Sequence, residues 1–192
     1  MDIYLSRHGQ TLWNTEHRMQ GLNNSPLTSE GMEGAAALGR ELSSLDPKIV
    51  RCFVSPLPRA LHTAQLALSN CDYKIPLTIE PLLTEMDLGS FEGMITDEAS
   101  SLYPDAYDKF VNDPDNYVPV DKGESFGDVI DRARVLLSKF EEYKKEGGEG
   151  PVLVISHMIV VEALLYASGT MSVENLRQTG PIRQTYLYKI TI

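Results

Sequence analysis

Cysteine is scarce in this 192-residue chain, and basic residues are outnumbered. The two cysteines, Cys52 and Cys71, cannot build a disulfide framework, and neither belongs to a Cys-x-x-Cys pair of the metal or redox type. We interpret each as a small buried side chain or an idle thiol. The 17 lysines and arginines face 27 aspartates and glutamates, which gives a net charge of −10. That charge excludes a general binder of nucleic acid or of anionic membranes, because both are themselves negatively charged.

Long hydrophobic runs are also missing. The longest apolar stretches, residues 152–155 and 158–167, are too short to span a membrane. The first residues show no basic segment followed by a long apolar one, so no secretory signal is visible and we expect a cytoplasmic protein. The length and the 42% hydrophobic fraction are typical of a single globular domain, which we expect to cover residues 1–192.

Short apolar runs alternate with helical patterns along the chain. The apolar runs predict strands over residues 3–6, 49–55, 77–79, 152–156 and 184–192, the last as an edge strand. The helical patterns cover residues 28–43, 57–68, 125–145 and 157 onward, and residues 80–93 are predicted to be a loop. Thr28 and Ser125 have the residue type and spacing of helix N-caps. This alternation predicts an α/β fold with a largely parallel sheet.

Two histidines and two arginines follow the predicted strands closely. His8 comes after the first strand between Arg7 and Gly9, Arg59 falls in the first turn after the second strand, and His157 follows the fourth. Ligands of open parallel sheets bind at the carboxyl ends of the strands. The donors of arginine and the free amides of a helix start suit an oxyanion such as phosphate, and Gly9 would let the backbone approach it. Arg59 alone would more commonly form a surface ion pair, but the four residues together predict a phosphate site.

Seven short segments extend this constellation. They are LSRHGQTLWN (5–14), QG (20–21), SPLTSEG (25–31), SPLPRALHTA (55–64), LLTEMDLGSFEG (82–93), GES (123–125) and VISH (154–157). In their order and spacing the chain resembles the histidine phosphatase superfamily, the phosphoglycerate-mutase-like proteins, over essentially its whole length. The resemblance implies a three-layer α/β/α sandwich with a mostly parallel central sheet. It implies neither a metal nor another cofactor.

The resemblance also implies roles for individual residues. His8 would be the nucleophile that becomes a phosphohistidine, and Glu85 would protonate the leaving oxygen and then activate water. Asp87, in the same loop, is the reserve candidate for the acid. The substrate and its phosphoryl oxygens would be held by Arg7, Arg59 and His157, with neutral hydrogen bonds from Asn14, Gln20 and Gly21. A neutral imidazole paired with a protonated acid predicts a pH optimum near neutrality or on its acid side.

Three other positions bear on the site. Met158 stands where many family members have glycine, so we expect it to narrow the pocket or to reposition the backbone amide there. His17 and His62 are interpreted as structural or exposed residues. Neither has the spacing of a metal-ligand pair with His8 or His157.

Residues 91–123 distinguish two enzyme functions within this family. Classical cofactor-dependent phosphoglycerate mutases are longer, with an extra basic segment after the catalytic glutamate. Here the segment resembles a short lid whose only basic residues are two lysines, and its aromatic residues are Tyr103, Tyr107, Phe110 and Tyr117. Those aromatic side chains would cover a less charged substrate, or they would form a small hydrophobic core beneath the lid.

The sequence therefore favours a phosphomonoesterase, of the histidine acid type, that acts on a small phosphorylated metabolite. A phosphoglycerate mutase is the alternative. A catalytically silent phosphate-binding module is disfavoured because the catalytic set is complete. The sequence identifies no particular ester, and a homodimer formed through the final strand stays open.

Overall fold

A computed structural model describes residues 1–172 and 181–192. Its strands are β1 (Asp2–Arg7), β2 (Arg51–Val54), β3 (Leu77–Ile79), β4 (Val152–Ser156) and β5 (Tyr188–Thr191). They form one sheet in the order β3-β2-β4-β1-β5. The neighbours from β3 to β1 pair in parallel, and β5 runs antiparallel to β1 at the edge. The mostly parallel sheet and its final edge strand confirm the sequence prediction.

Helices cover both faces of this sheet. They are α1 (Leu12–Thr15), α2 (Ser29–Ser44), α3 (Pro58–Ser69), α4 (Thr96–Leu102), α5 (Pro104–Asn112), α6 (Phe126–Lys145) and α7 (Met158–Ala167). The Thr28 side chain caps α2 by accepting the Gly31 N–H, and Ser125 caps α6 in a capping box with Asp128. Both predicted caps are confirmed, because each side-chain oxygen satisfies an amide that the helix leaves free.

The central strand β4 separates two hydrophobic cores. Val152 and Val154 pack with α6 and α7, whereas Leu153 and Ile155 pack with α2 and α3 on the other face. Alternate residues of a strand point to opposite faces, so a strand buried on both sides must be apolar throughout. The result is the three-layer α/β/α sandwich. Cys52 lies in the second core, where burial raises the pKa of its thiol to about 12.

Three segments differ from the sequence prediction. The final strand begins at Tyr188 rather than at residue 184, because the residues before it leave the sheet edge and contact the end of β1. The loop over residues 80–93 contains 3₁₀ turns at Pro81–Leu83 and Gly89–Phe91. The segment after it folds into α4 and α5, which are short and lack a long apolar periodicity. Within the described residues, no helix is long and apolar enough to cross a membrane.

Candidate active site

A cavity of about 220 Å³ opens at the carboxyl ends of β1 and β4. Its polar lining consists of Arg7, His8, Asn14, Arg18, Gln20, Gly21, Arg59, Glu85 and Thr96. Its apolar lining consists of Met19, Leu88, Tyr107, Phe110, Met158 and Ile159. The structure thus brings the predicted residues to one cavity, and His157 lies behind it with its ring centre 5.2 Å from that of His8.

The imidazole of His8 is buried and held in one tautomer. Its Nδ1–H donates to the carbonyl of Gly9 at 2.7 Å, and Arg59 Nε–H donates to its Nε2 at 3.3 Å. These contacts place the ring hydrogen on Nδ1 and leave a lone pair on Nε2. Burial, with the charges of Arg7 and Arg59, holds the pKa of His8 well below its usual value. The ring is therefore neutral at pH 7, the form in which Nε2 is nucleophilic.

Arg59 presents a fixed guanidinium beside that lone pair. Its Nη1 donates to Asn23 O at 2.6 Å and its Nη2 to Gly21 O at 2.8 Å. A guanidinium has five N–H groups, so each terminal nitrogen keeps one hydrogen for an anion. Burial is the main cause that lowers the pKa of Arg59 to about 10, and the side chain stays cationic at neutral pH.

The turn that holds Arg59 requires glycine at position 21. Gly21 has φ +52°, and a Cβ there would lie 2.2 Å from Oε1 of Glu92. That same carboxylate accepts the Leu22 N–H at 2.7 Å. Gly21 therefore contributes its carbonyl to Arg59 in addition to lining the cavity. At Gly9 the backbone packs closely against Gly31, because a Cβ there would lie 2.5 Å from Gly31 O. This packing, rather than the expected approach of a ligand, explains the glycine at position 9.

Arg7 supplies a second cation from the end of β1. Its Nη1 donates to Ile182 O at 3.0 Å, and its Nε is buried without a hydrogen-bond partner among the described residues. Two carboxylates, Glu85 and Glu162, act on its charge. Burial, together with the charge of Glu85, raises the pKa of Glu162 to about 7. The sequence prediction did not include Glu162, which lies among the apolar residues of α7.

Glu85 is the carboxyl group that reaches the cavity. It is 7% exposed, and its Oε1 accepts the Met86 N–H at 3.0 Å. Burial raises the pKa of Glu85 above its usual value, although Arg59 and Arg7 oppose that shift. The reserve candidate Asp87 is placed differently: its Oδ1 caps the Gly89 N–H at 2.9 Å, and it does not line the cavity.

His157 occupies the N-cap position of α7 and is fully buried. Its Nε2 lies 2.7 Å from Oγ of Ser55, and its Nδ1 has no hydrogen-bond partner among the described residues. When the Ser55 hydroxyl donates to Nε2, the ring hydrogen sits on Nδ1 and can be donated to a ligand. Burial, then the charge of Arg59, lowers the pKa of His157 well below its usual value. Sequence reasoning gave Ser55 no role, although it directly follows β2, the neighbour of the strand that precedes His157.

Asn14 and Gln20 complete the polar lining. The Oδ1 of Asn14 accepts hydrogen bonds from the backbone and hydroxyl of Thr11, both at 3.0 Å, and from Gln184 at 2.8 Å. Its NH₂ group is what remains for a ligand. The Oε1 of Gln20 is buried without a partner among the described residues. Both side chains can therefore form neutral hydrogen bonds with a bound molecule.

The aromatic residues form one cluster beside the cavity. Its members are Phe91, Tyr103, Tyr107, Phe110, Tyr117 and Phe126, whose ring centres lie 5.2–6.2 Å apart. The cluster is the small core beneath α4 and α5, and Tyr107 and Phe110 also face the cavity. The core role considered from the sequence is therefore present, and the role of covering a substrate stays a prediction.

The remaining predictions concern the periphery of the site. Met158 lines the cavity, as its place after His157 predicted. Arg18, which the sequence prediction omitted, lies at the same cavity and pairs with Glu16 at 3.1 Å. His17 and His62 are exposed, as expected. Within the described part of the chain, no three His, Cys, Asp or Glu residues come together as a metal-binding group.

Similar proteins include both phosphatases and probable mutases. A metal-independent phosphoserine phosphatase from Arabidopsis thaliana is 34% identical over 164 residues, which is 85% of this chain and 66% of that protein. A probable phosphoglycerate mutase, GpmB, from Salmonella choleraesuis (strain SC-B67) is 33% identical over 86% of this chain and 73% of its own length. The chain thus spans about two thirds to three quarters of these two relatives.

A solved structure and a family model extend the similarity to the whole fold. Bacillus stearothermophilus YhfR superposes with a TM-score of 0.85 at 33% identity, covering 100% of this chain and 91% of that one. The model of the histidine phosphatase superfamily (branch 1) matches residues 3–192. The chain therefore belongs to branch 1 of the histidine phosphatase superfamily.

Proposed function

We propose that the protein is a phosphomonoesterase that hydrolyses a small phosphate ester through a phosphohistidine on His8. The observation that carries this proposal is the neutral His8 imidazole, whose Nε2 contacts Arg59 and which lines one cavity with Arg7 and the buried acid Glu85. A nucleophile, an anion site and a proton donor are the three parts that transfer from an ester requires.

The first half-reaction uses each of these parts. Nε2 of His8 attacks phosphorus while the bond to the ester oxygen breaks, and the proton of Glu85 passes to that oxygen. The Arg59 Nε–H, which bonds Nε2 at 3.3 Å, loses that acceptor as the lone pair is used and donates to a phosphoryl oxygen instead. Arg7 and the Nδ1–H of His157 bind the other oxygens and offset their charge.

The second half-reaction returns the enzyme to its starting state. The carboxylate of Glu85 takes a proton from water, the water oxygen bonds to phosphorus and the N–P bond of His8 breaks. Inorganic phosphate leaves, and Glu85 is protonated again. The same residue acts as acid and then as base, and burial favours its protonated form by raising its pKa above the usual value.

A phosphatase is favoured over a mutase by the rest of the cavity lining. Six of the lining residues are apolar or aromatic, and Lys109 and Lys122 of the 91–123 segment are exposed and do not line the cavity. We propose that α4 and α5 form a lid over a substrate with little charge beyond its phosphate, within a single domain. The phosphoserine phosphatase among the relatives agrees with hydrolysis.

One observation keeps the mutase as a second candidate. Arg18 lies at the cavity, where it could bind the carboxylate of a phosphoglycerate. The name of the Salmonella relative points in the same direction.

Two assays distinguish these functions. Phosphate release is measured over a panel of small phosphate esters, with the His8→Ala variant as the control, and the proposal expects release by the wild-type protein only. In the second assay, 3-phosphoglycerate is supplied with a trace of 2,3-bisphosphoglycerate. Formation of the 2-isomer without free phosphate would show a mutase, and activity unchanged in His8→Ala would contradict both functions.

A further inference from the structure

The loop that carries Glu85 is tied at both ends to side chains outside it. Before Glu85, Arg132 Nη1 donates to Leu82 O at 2.7 Å and to Thr84 O at 2.9 Å. After it, the Asp87 N–H donates to Glu124 Oε2 at 3.0 Å, and the Glu124 N–H donates to Asp87 O at 2.8 Å. The residues flanking Glu85 are therefore fixed from α6 and from the turn just before it.

The two anchoring side chains also bind each other. Arg132 Nε and Nη2 donate to the two carboxylate oxygens of Glu124 at 2.8 and 2.9 Å, the bidentate geometry in which an arginine–carboxylate pair is strongest. Their side chains are 20% and 26% exposed, so water screens the pair less than an open surface pair. Together they form a clasp, the Arg132–Glu124 clasp, that closes over the loop.

Glu85 depends on this clasp for its position. Its carboxylate accepts the N–H of the next residue, Met86, so a shift of the loop backbone moves the acid with it. A displacement of about 1 Å of a catalytic group can cost roughly 10²-fold in rate. Among the described residues, the side chains of Arg132 and Glu124 form hydrogen bonds with each other and with this loop, and the charge of Arg132 also acts on His157.

We propose that Arg132 and Glu124 are positioning residues that hold Glu85 in place as the proton donor. The inference rests on the proposed function, since it needs Glu85 to protonate a leaving group. It predicts that kcat/KM, which does not contain the later attack of water, falls only for esters whose leaving oxygen needs that proton. A purely electrostatic effect of Arg132 on His157, or a general loosening of the fold, would slow the reaction of every ester alike.

The leaving group separates these outcomes. A nitrophenolate leaves phosphorus without help, whereas an alkoxide needs a proton from the acid. We expect Arg132→Met to lower kcat/KM, which reports the steps up to loss of the leaving group, by roughly 10²-fold for an alkyl phosphate and by less than about 5-fold for p-nitrophenyl phosphate. The ratio of the two rates within one preparation does not depend on how much of the variant is folded.

A double variant tests whether the clasp acts through the acid. Glu85→Gln should show the same selective loss on the alkyl ester. Combining it with Arg132→Met should add less than about 3-fold, because residues that serve one step are not additive. Arg134→Met is the matched control: Arg134 lies on the same helix and pairs with Asp131, but its side chain is 57% exposed, and both rates should stay unchanged.

Three results would overturn the inference. Equal losses of kcat/KM on both esters in Arg132→Met, or multiplicative losses in the double variant, would show that the clasp does not act through Glu85. An unchanged ratio of the two kcat/KM values in Glu124→Gln would show that Glu124 has no part in positioning Glu85. A wild-type protein that hydrolyses neither p-nitrophenyl phosphate nor any ester of the panel would instead overturn the proposed function, and this inference with it.

Discussion

Replacing Arg59 with methionine separates the catalytic role of this side chain from its effect on stability. Methionine fills similar space but has no donors and no charge. The guanidinium gives Nε–H to His8 and faces the site where phosphoryl charge must be held. Removing one such preorganised group costs about 10²–10³-fold in rate, so we expect kcat/KM to fall roughly 10³-fold, equivalent to about 4 kcal/mol.

The stability of the fold should change little in the same variant. Burial lowers the pKa of Arg59 from its ordinary value to about 10, so its charge costs the folded state about 3 kcal/mol at pH 7. The hydrogen bonds to Gly21 O and Asn23 O together return about 3 kcal/mol, since bonds from charged donors contribute about 1.5 kcal/mol each. The two effects cancel to within about 2 kcal/mol, which limits the shift in Tm to about 8 °C.

Thermal unfolding with and without inorganic phosphate measures the stability of each variant and its binding of phosphate. At 100 times its Kd, phosphate should stabilise the wild-type protein by about 2.7 kcal/mol and should leave Arg59→Met nearly unchanged. Arg51→Met is the control, because Arg51 begins β2 at the end away from the cavity and donates to Thr78. The reasoning is refuted if Arg59→Met keeps its phosphate stabilisation, or if its kcat/KM stays within 10-fold of wild type.

Three further predictions concern pH, tautomer and metal. The pKa of His8 is lowered and that of Glu85 is raised, and kcat/KM should rise with pH through the first and fall through the second. We therefore expect an optimum near neutrality or on its acid side, and a rate that climbs into strong alkali would contradict this. Ser55→Ala should lower kcat/KM about 5- to 10-fold, because it removes the buried hydrogen bond to His157 and such a bond is worth about 1 kcal/mol. Ser55→Thr should restore part of the rate. Full activity in the alanine variant would show that Ser55 does not orient His157. Because arginines and neutral imidazoles form the anion site, dialysis against a chelator should leave kcat unchanged, and a loss reversed by a divalent cation would disprove that.

The elements with a strong local signal were predictable from the sequence. Thr28 and Ser125 mark helix starts by chemistry that involves only the next three residues, and β4 is apolar throughout because both of its faces are covered. The helices α4 and α5 were not predicted, since they are short and their stability comes from packing in the aromatic cluster. Local propensity does not reveal that kind of stabilisation.

The sequence likewise revealed some features of the active site and not others. The positions of His8 and Arg59 after strands were readable, because a parallel sheet brings its strand ends together. The contacts that fix them were not: Ile182 lies 175 residues from Arg7, and the carbonyls that hold Arg59 come from a turn that precedes it by 36 to 38 residues. Tertiary hydrogen bonds of this kind leave no periodicity in the sequence.

The central claim is tested most directly by trapping the covalent intermediate. The protein is mixed with a labelled phosphate ester, quenched in alkali within one turnover and digested, and the peptide that contains His8 is analysed by mass spectrometry. We expect one phosphoryl group on that imidazole, stable in alkali and lost in acid, and absent from the His8→Ala variant. Label on another residue, or turnover of the ester with an unmodified His8 peptide at every quench time, would contradict the account.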